Sequence, residues 1–461
     1  MAPKACLVAL PLVTTGEIFK AYDIRGTYPE QIDEQLARAI GSAFATFLDA
    51  PTIAMAKDMR PSGDSLTAAF AEGARAVGCR VIDLGLASTD FLYFAAGHLD
   101  MPGAMFTASH NPAQYNGIKM CLAGAKPIGA DTGLIEIETL TNQFLATPAT
   151  GELAPLEVRD LLPEWVEHVL SFIDVSALRP LKIVADTANG MGGFVVPKVF
   201  QNLPFEVEIM YEELDGNFPN HPADPLNPEN LVDLQRRVLE VGADIGLAFD
   251  GDADRVFLID EKAQPISGST TTAMVAAAVL ERNPGATILY NIICSKAVPE
   301  VIAEGQGVGV KTRVGHSYIK QVMAETGAIF GGEHSGHYYY RDNYRADSGI
   351  ITALVVLELL SKANKPLSEV VAPFDRYAAS GEINTKVQSP ANSVAVIAEK
   401  LKAAGVSIDL MDGLTAQYAD WWFNLRPSNT EPLLRLNVEA PDAESCAQRV
   451  REVLAMVAEV G

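Results

Sequence analysis

Along most of the chain, short β-rich apolar runs alternate with stretches of helical periodicity, the pattern of βαβ units and parallel sheets. In the first region the apolar runs predict strands at 52–56, 80–84 and 103–106, with helices at 62–77 and 131–144. A stretch rich in Pro and Glu near Pro155 marks a boundary. Beyond it, strands are expected at 181–185, 206–210 and 244–249, and helices at 194–200 and 228–241. A third round places helices at 270–280, 296–303, 316–326 and 347–361, with strands at 286–291, 309–313 and 329–332. The final stretch changes character: strands at 382–387, 407–410, 421–425 and 433–438 accompany helices at 393–404 and 443–458. The fold class expected is therefore α/β, with three similar α/β domains of mixed, mostly parallel sheets and a smaller C-terminal α+β domain. The domains are expected at 1–155, 156–261, 262–374 and 375–461.

Composition narrows the function. The formal charge of −23 over 461 residues argues against a nucleic-acid partner, which needs basic residues massed on one face. A small phosphorylated substrate remains compatible if the basic residues are concentrated at one site. Five scattered cysteines without a Cys-x-x-Cys pair indicate neither a disulfide framework nor a zinc centre, and read as reduced, cytoplasmic thiols. The apolar start at 5–13 holds Pro11 and lacks a small-residue cleavage site, so it is expected to be an ordered or frayed terminus. No apolar run reaches the roughly 20 residues of a membrane span.

Four polar loops, each beside an apolar run, carry the candidate chemistry. Thr107-Ala108-Ser109-His110-Asn111-Pro112 follows the strand at 103–106, the end of a parallel sheet at which ligands bind. A serine there can accept and return a phosphoryl group if a cation and a base are supplied. An ordinary turn is the alternative, and a hydrolase triad fits poorly because no Gly-x-Ser-x-Gly elbow surrounds Ser109. In Asp250-Gly251-Asp252-Ala253-Asp254-Arg255, alternating carboxylates offer three hard oxygen ligands suited to Mg²⁺. An EF-hand is discounted, since Arg255 stands where that loop requires Gly; a solvated acidic turn is the other alternative. Glu333-His334-Ser335-Gly336-His337 mixes donors and acceptors suited to sugar hydroxyls, or forms a tight turn with surface histidines. Arg426-Pro427-Ser428-Asn429-Thr430-Glu431-Pro432 offers a guanidinium, hydroxyls and an amide to a phosphate, or is a polar hairpin loop. Further basic candidates are Arg25, Arg60, Lys119, Arg313 and His316, with Lys119 and His337 suited to proton transfer. The glycines of Asn189-Gly190-Met191-Gly192-Gly193 do not make a dinucleotide loop, because Val195 replaces its last glycine.

Taken together, these loops resemble those of the α-D-phosphohexomutase family, the phosphomannomutases and phosphoglucomutases. The likeness runs from Phe19 to the C-terminus and includes Ala21-Tyr22-Asp23-Ile24-Arg25-Gly26. It implies four domains around a central cleft, each contributing one loop. It further implies that Ser109 is the phosphoserine and that its phosphate, with Asp250, Asp252 and Asp254, holds Mg²⁺. Lys119, His337, Arg25 and His110 would serve the chemistry, supported by Tyr22 and Arg60. Glu333, His334 and Ser335 would recognise the sugar, together with Arg255, Arg313 and His316. Arg426, Ser428, Asn429 and Thr430 would hold the phosphate not being transferred. The partners implied are hexose phosphates and a hexose 1,6-bisphosphate intermediate, without nucleic acid or membrane, in a monomer or homodimer. His334 stands where Met accompanies mannose and glucose substrates and Gln accompanies glucosamine, so it leans towards mannose or dual use. The activity expected is that of a phosphomannomutase also accepting glucose phosphates. The alternatives are a phosphoglucosamine mutase, a catalytically silent sugar-phosphate-binding protein, and a phosphatase in which water intercepts the phosphoserine.

Overall fold

The computed structural model describes residues 15–428 and 433–460; the apolar start at 5–13 lies outside them. Four sheets follow one another along the chain. The first contains β1 (Ile24–Thr27), β2 (Thr52–Lys57), β3 (Arg80–Leu86), β4 (Gly103–Phe106), β5 (Tyr115–Leu122), β6 (Lys126–Pro127) and β7 (Leu156–Val158). Its order is β1-β5-β4-β2-β3-β7, with β6 beside β5. The second contains β8 (Lys182–Asp186), β9 (Glu206–Met210), β10 (Ile245–Phe249), β11 (Val256–Asp260) and β12 (Pro265–Ile266), ordered β12-β11-β10-β8-β9. The third contains β13 (Thr287–Asn291), β14 (Val308–Thr312), β15 (Phe330–Gly332) and β16 (Tyr338–Tyr340), ordered β14-β13-β15-β16.

Beneath these orders lies one unit used three times. Its first, second and third strands run parallel, and its fourth turns back antiparallel to the third. The strands of each unit therefore lie fourth, third, first, second across the sheet. The antiparallel strand lies at one margin of each unit and parallel pairing extends to the other, the parallel returns running through helical crossovers and the antiparallel one through a short loop. The fourth sheet comprises β17 (Ala378–Ala379), β18 (Ile383–Lys386), β19 (Ser407–Asp409), β20 (Leu414–Gln417), β21 (Trp422–Pro427) and β22 (Leu433–Ala440) and is antiparallel throughout.

By internal contacts the chain divides into two units, one running to Leu161 and including Asp215–Asn217, the other holding Leu162–Leu214 and everything from Phe218. In the first, α1 (Glu34–Leu48) and α2 (Gly63–Ala76) pack against each other and the sheet. Asp33 caps α1 by accepting from Leu36 N at 2.8 Å, and Leu36, Ile40 and Phe44 form its buried stripe. The two helices cross on glycines: a Cβ on Gly41 would lie 2.0 Å from Phe70 O, and one on Gly73 would lie 1.9 Å from Arg38 O. The expected element at 131–144 is broken by Gly133 at φ 130°, which separates a short turn at Ala130–Thr132 from the helix Leu134–Ala146. The helix α1, although amphipathic, is not among the expected elements. Among the described residues, no helix is long and apolar enough to cross a membrane.

Because both helix backbones leave no room for a methyl, Gly41→Ala should destabilise the protein by about 1–3 kcal/mol, as overpacked contacts do. The check is a lowered melting temperature beside Gly16→Ala, whose Cβ would meet nothing closer than 3.6 Å.

Candidate active site

In all three α/β units the loop from the third to the fourth strand carries the candidate residues. Ser109 lies between β4 and β5, the aspartates between β10 and β11, and Glu333 to His337 between β15 and β16. Each loop turns through a left-handed residue: Ser109 at φ 48°, Ala253 at φ 60° and Gly336 at φ 84°. A serine in that conformation costs on the order of 1 kcal/mol and needs surroundings that impose it.

Those surroundings are dominated by Arg60. Its guanidinium is buried and donates to four carbonyls of the loop and its exit: Ser109 O (2.8 Å), Asn111 O (2.7 Å), Pro112 O (2.9 Å) and Tyr115 O (2.8 Å). The fifth donor, Nε, meets Asp58 Oδ2 at 3.3 Å. A guanidinium has five N–H groups, so Arg60 is committed to shaping the loop. The Ser109 N–H donates to Thr107 Oγ1 at 2.9 Å, and Ser109 Oγ lies 3.3 Å from His110 Nδ1. Arg25 Nη1 donates to Asn111 Oδ1 at 2.6 Å and its other arm pairs with Asp23. Lys119 is buried on β5 opposite Met105, and Tyr22 is half-buried just before β1.

The second unit holds the acidic loop. Asp250, Asp252 and Asp254 are buried, and each offers an oxygen within 4.8 Å of the others. Three hard carboxylate oxygens this close together could hold a metal ion, and oxygen donors are the kind that Mg²⁺ takes. Burial excludes a solvated turn. Arg255 grips Asp250 twice, through its backbone N to Oδ1 (3.2 Å) and Nε to Oδ2 (2.9 Å). The glycine run rejected for dinucleotide binding supports this loop: Met191 N donates to Gly251 O at 2.8 Å, and a Cβ on Gly190 would lie 2.7 Å from that same oxygen.

Arg255 and His337 bridge as antiparallel partners, tying the acidic loop to the next one. His337 Nδ1 lies 2.8 Å from Asp347 Oδ2 and 3.7 Å from Asp254 Oδ1, while Asp347 Oδ1 meets the buried Lys320 at 3.1 Å. Burial disfavours the charged imidazole, but Asp254 and Asp347 outweigh it and raise the His337 pKa above its ordinary value. Buried Glu333 is surrounded by donors: Gly315 N (3.0 Å), Asn291 Nδ2 (3.5 Å), Tyr339 OH (3.2 Å) and Ser335 Oγ (3.4 Å). The Gly315 bond draws in the segment bearing Arg313, which lies over the Tyr318 ring at 4.5 Å, and His316, whose charge bears on Asp347. His334 Nδ1 meets Ser269 Oγ at 2.9 Å, and burial lowers its pKa, so it is neutral near pH 7.

Comparison with known proteins covers these elements together. Profiles described as phosphoglucomutase/phosphomannomutase, alpha/beta/alpha domains I, II and III, match residues 16–146, 163–264 and 267–377, and that of the C-terminal domain matches 382–456. The chain belongs to the phosphoglucomutase/phosphomannomutase family. It is thus an enzyme, an isomerase that works as an intramolecular phosphotransferase. The phosphomannomutase of Escherichia coli (strain K12) is 41% identical over 455 residues, covering 96% of this chain and 99% of that one. A phosphohexose mutase of Xanthomonas campestris pv. campestris is 40% identical over 94% of this chain and 98% of its own. Among solved structures, a phosphoglucomutase/phosphomannomutase family protein of Burkholderia thailandensis superposes with a TM-score of 0.86 at 32% identity, covering 96% of this chain and 97% of that one.

The mutase's last loop is described in part. Arg426 Nη2 meets Glu382 Oε2 at 3.2 Å, and Ser428 N donates to Leu433 O at 2.8 Å. Asn429 and Thr430 lie outside the described residues. Sequence reasoning missed Asp347, Lys320, Ser269 and Glu382, none of which belongs to a motif. Asp347 stands ten positions after His337, and no local pattern marks it as that imidazole's partner.

Two outcomes follow from this geometry. Arg60→Lys has three donors for five acceptors and should release the Ser109 loop, lowering kcat about 100-fold, the scale of a small misplacement at a reacting centre. Steady-state kinetics beside a melting curve checks this. The lowered His334 pKa gives stability that is complete above the ordinary imidazole pKa of about 6.5 and is lost as pH falls through the folded value. On acidification from pH 7.5 to 5 the melting temperature should therefore fall further in the native protein than in His334→Gln.

Proposed function

We propose that the chain is a Mg²⁺-dependent phosphomannomutase that interconverts mannose 6-phosphate and mannose 1-phosphate and also accepts glucose phosphates. The observation that carries this reading is the 41% identity with the E. coli phosphomannomutase over 96% of this chain. The reading takes the protein as a cytoplasmic monomer or homodimer of four domains divided near residues 155, 261 and 374.

In the proposed cycle, phosphorylated Ser109 gives its phosphoryl group to the free C1 or C6 hydroxyl of a hexose phosphate. The Ser109–O–P bond breaks as the sugar O–P bond forms, and the hydroxyl proton passes to a basic group, for which Lys119 and His337 are the candidates, while Arg25 and His110 would serve the transfer from beside the Ser109 loop. The resulting bisphosphate returns its other phosphoryl group to Ser109, so no phosphate is released overall. Asp250, Asp252 and Asp254 would hold Mg²⁺, which when bound supplies positive charge to phosphoryl oxygens. Neutral His334 can both donate and accept, as Glu333 and Ser335 can between them, which suits a ring of hydroxyls. Arg313, His316 and Arg255 add positive charge beside that loop. Arg426, Ser428, Asn429 and Thr430 are proposed to bind the phosphate that stays on the sugar.

Intact mass spectrometry should find one labile phosphoryl group, absent from Ser109→Ala, and that variant should lose at least about 1,000-fold in kcat because the covalent route is closed. A chelator should stop turnover. Retained activity in Ser109→Ala would reject the mechanism, and assays on mannose, glucose and glucosamine phosphates side by side decide the sugar.

A further inference from the structure

The imidazole of His334 is held from behind by the first turn of a helix, Gly268–Arg282. Ser267 caps that helix by accepting from Thr270 N at 3.0 Å. Gly268 lets the turn sit against the loop at 333–337, since a Cβ on it would lie 2.3 Å from His334 O. The turn carries buried Ser269 to the ring, with Oγ 2.9 Å from His334 Nδ1. The same oxygen accepts from Ser295 N at 3.0 Å. A hydroxyl has one proton and two lone pairs, and a buried proton without an acceptor is costly. Among the described residues, His334 Nδ1 is the acceptor within reach of the Ser269 proton. Were Nδ1 to donate instead, Oγ would receive two protons and have nowhere to give its own. Nδ1 therefore accepts, and in a neutral imidazole the remaining proton lies on Nε2. The ring is neutral near pH 7 because burial disfavours its charge, while the charges that face it, Glu382 and Arg426, are opposite in sign. No described residue bonds to Nε2.

We propose that Ser269 is a positioning residue for sugar recognition: its hydroxyl donates to His334 Nδ1 and fixes the imidazole as the Nε2–H tautomer, so that His334 meets the sugar only as a donor. The inference rests on the assignment of the loop at 333–337 to the sugar and deepens it by stating what the sugar must offer there. Of the two capacities of a neutral imidazole, acceptance is spent on Ser269 and donation is left for the ligand. The group that meets Nε2 must bring a lone pair, which a hydroxyl oxygen has and an ammonium lacks. The relay begins one residue further back, because the Ser295 N–H occupies a lone pair of Oγ and so turns the hydroxyl proton towards the ring.

The test has two arms. Heteronuclear NMR of the full-length chain with isotopically labelled histidine, at about pH 8, reads which ring nitrogen carries the proton; the His334 signals are those absent from His334→Gln. A protonated Nε2 and a bare Nδ1 are expected, and in Ser269→Ala the Nδ1 resonance should move. A proton on Nδ1 in the native chain, or an unmoved Nδ1 resonance in folded Ser269→Ala, would overturn the proposal. The second arm is steady-state kinetics with mannose 1-phosphate. Ser269→Ala should raise KM about three- to tenfold, the scale of one neutral hydrogen bond, with kcat changed less than about twofold. Ser269→Thr keeps the hydroxyl and should keep the native KM. If melting curves show that Ser269→Ala does not fold, Ser269→Cys, a weaker donor, takes its place with a smaller rise. In a His334→Ala background Ser269→Ala should add nothing, because it acts through the ring; an equal rise there would overturn the positioning role. An unchanged KM in His334→Ala rejects the assignment of the loop to the sugar, even where NMR finds the tautomer. A raised KM in that variant beside the wrong tautomer in the native chain overturns this inference alone.

Discussion

A charge removed from water must meet its partner inside the protein, and that requirement organises both units of this chain. Desolvating an ion costs several kcal/mol unless opposite charge or hydrogen bonds replace the lost water. Arg60 meets the cost with four backbone carbonyls and Asp58. Arg255 meets it with Asp250, and Lys320 with Asp347, which also holds His337. In each case the bond that makes burial tolerable also fixes a loop. The groups that hold these loops are therefore paired for the same reason that they are buried.

The scaffold that receives these charges is a single strand order used three times. Its hairpin turn, between the third and fourth strands, lies at the carboxyl end of a parallel strand, where backbone groups no longer pair across the sheet and side chains are free to act. The three turns share little sequence because their chemistry differs. One presents a serine, the next carboxylates that suit a cation, and the last a set of mixed donors and acceptors. Among the described residues, polar contacts link the fourth sheet to the third, with Glu439 accepting from Lys296 N at 2.9 Å and Asp412 accepting from Val314 N at 3.1 Å. Such contacts can be exchanged more readily than packed side chains.

How much of the site was legible varies residue by residue. Ser109, the three aspartates and Glu333 to His337 stand in compact loops next to apolar runs, so their position at strand ends could be read. The support of Gly251 by Met191 could not, because a glycine run shows only that backbone comes close to something, not to what. The same holds for Gly41 and Gly73, whose meaning depends on two helices crossing.

Local composition and periodicity by themselves determined the alternation of strands and helices, the change to an α+β pattern near the C-terminus, and the identity of the polar loops. These are properties of consecutive residues, governed by side-chain period and turn chemistry. Tertiary structure alone decided which charges are buried together: that Arg60 shapes the serine loop, and that Asp347 and Lys320 stand behind His337. Those partners are separated along the chain and brought together by strand order and helix packing, so no stretch of neighbouring residues encodes their meeting.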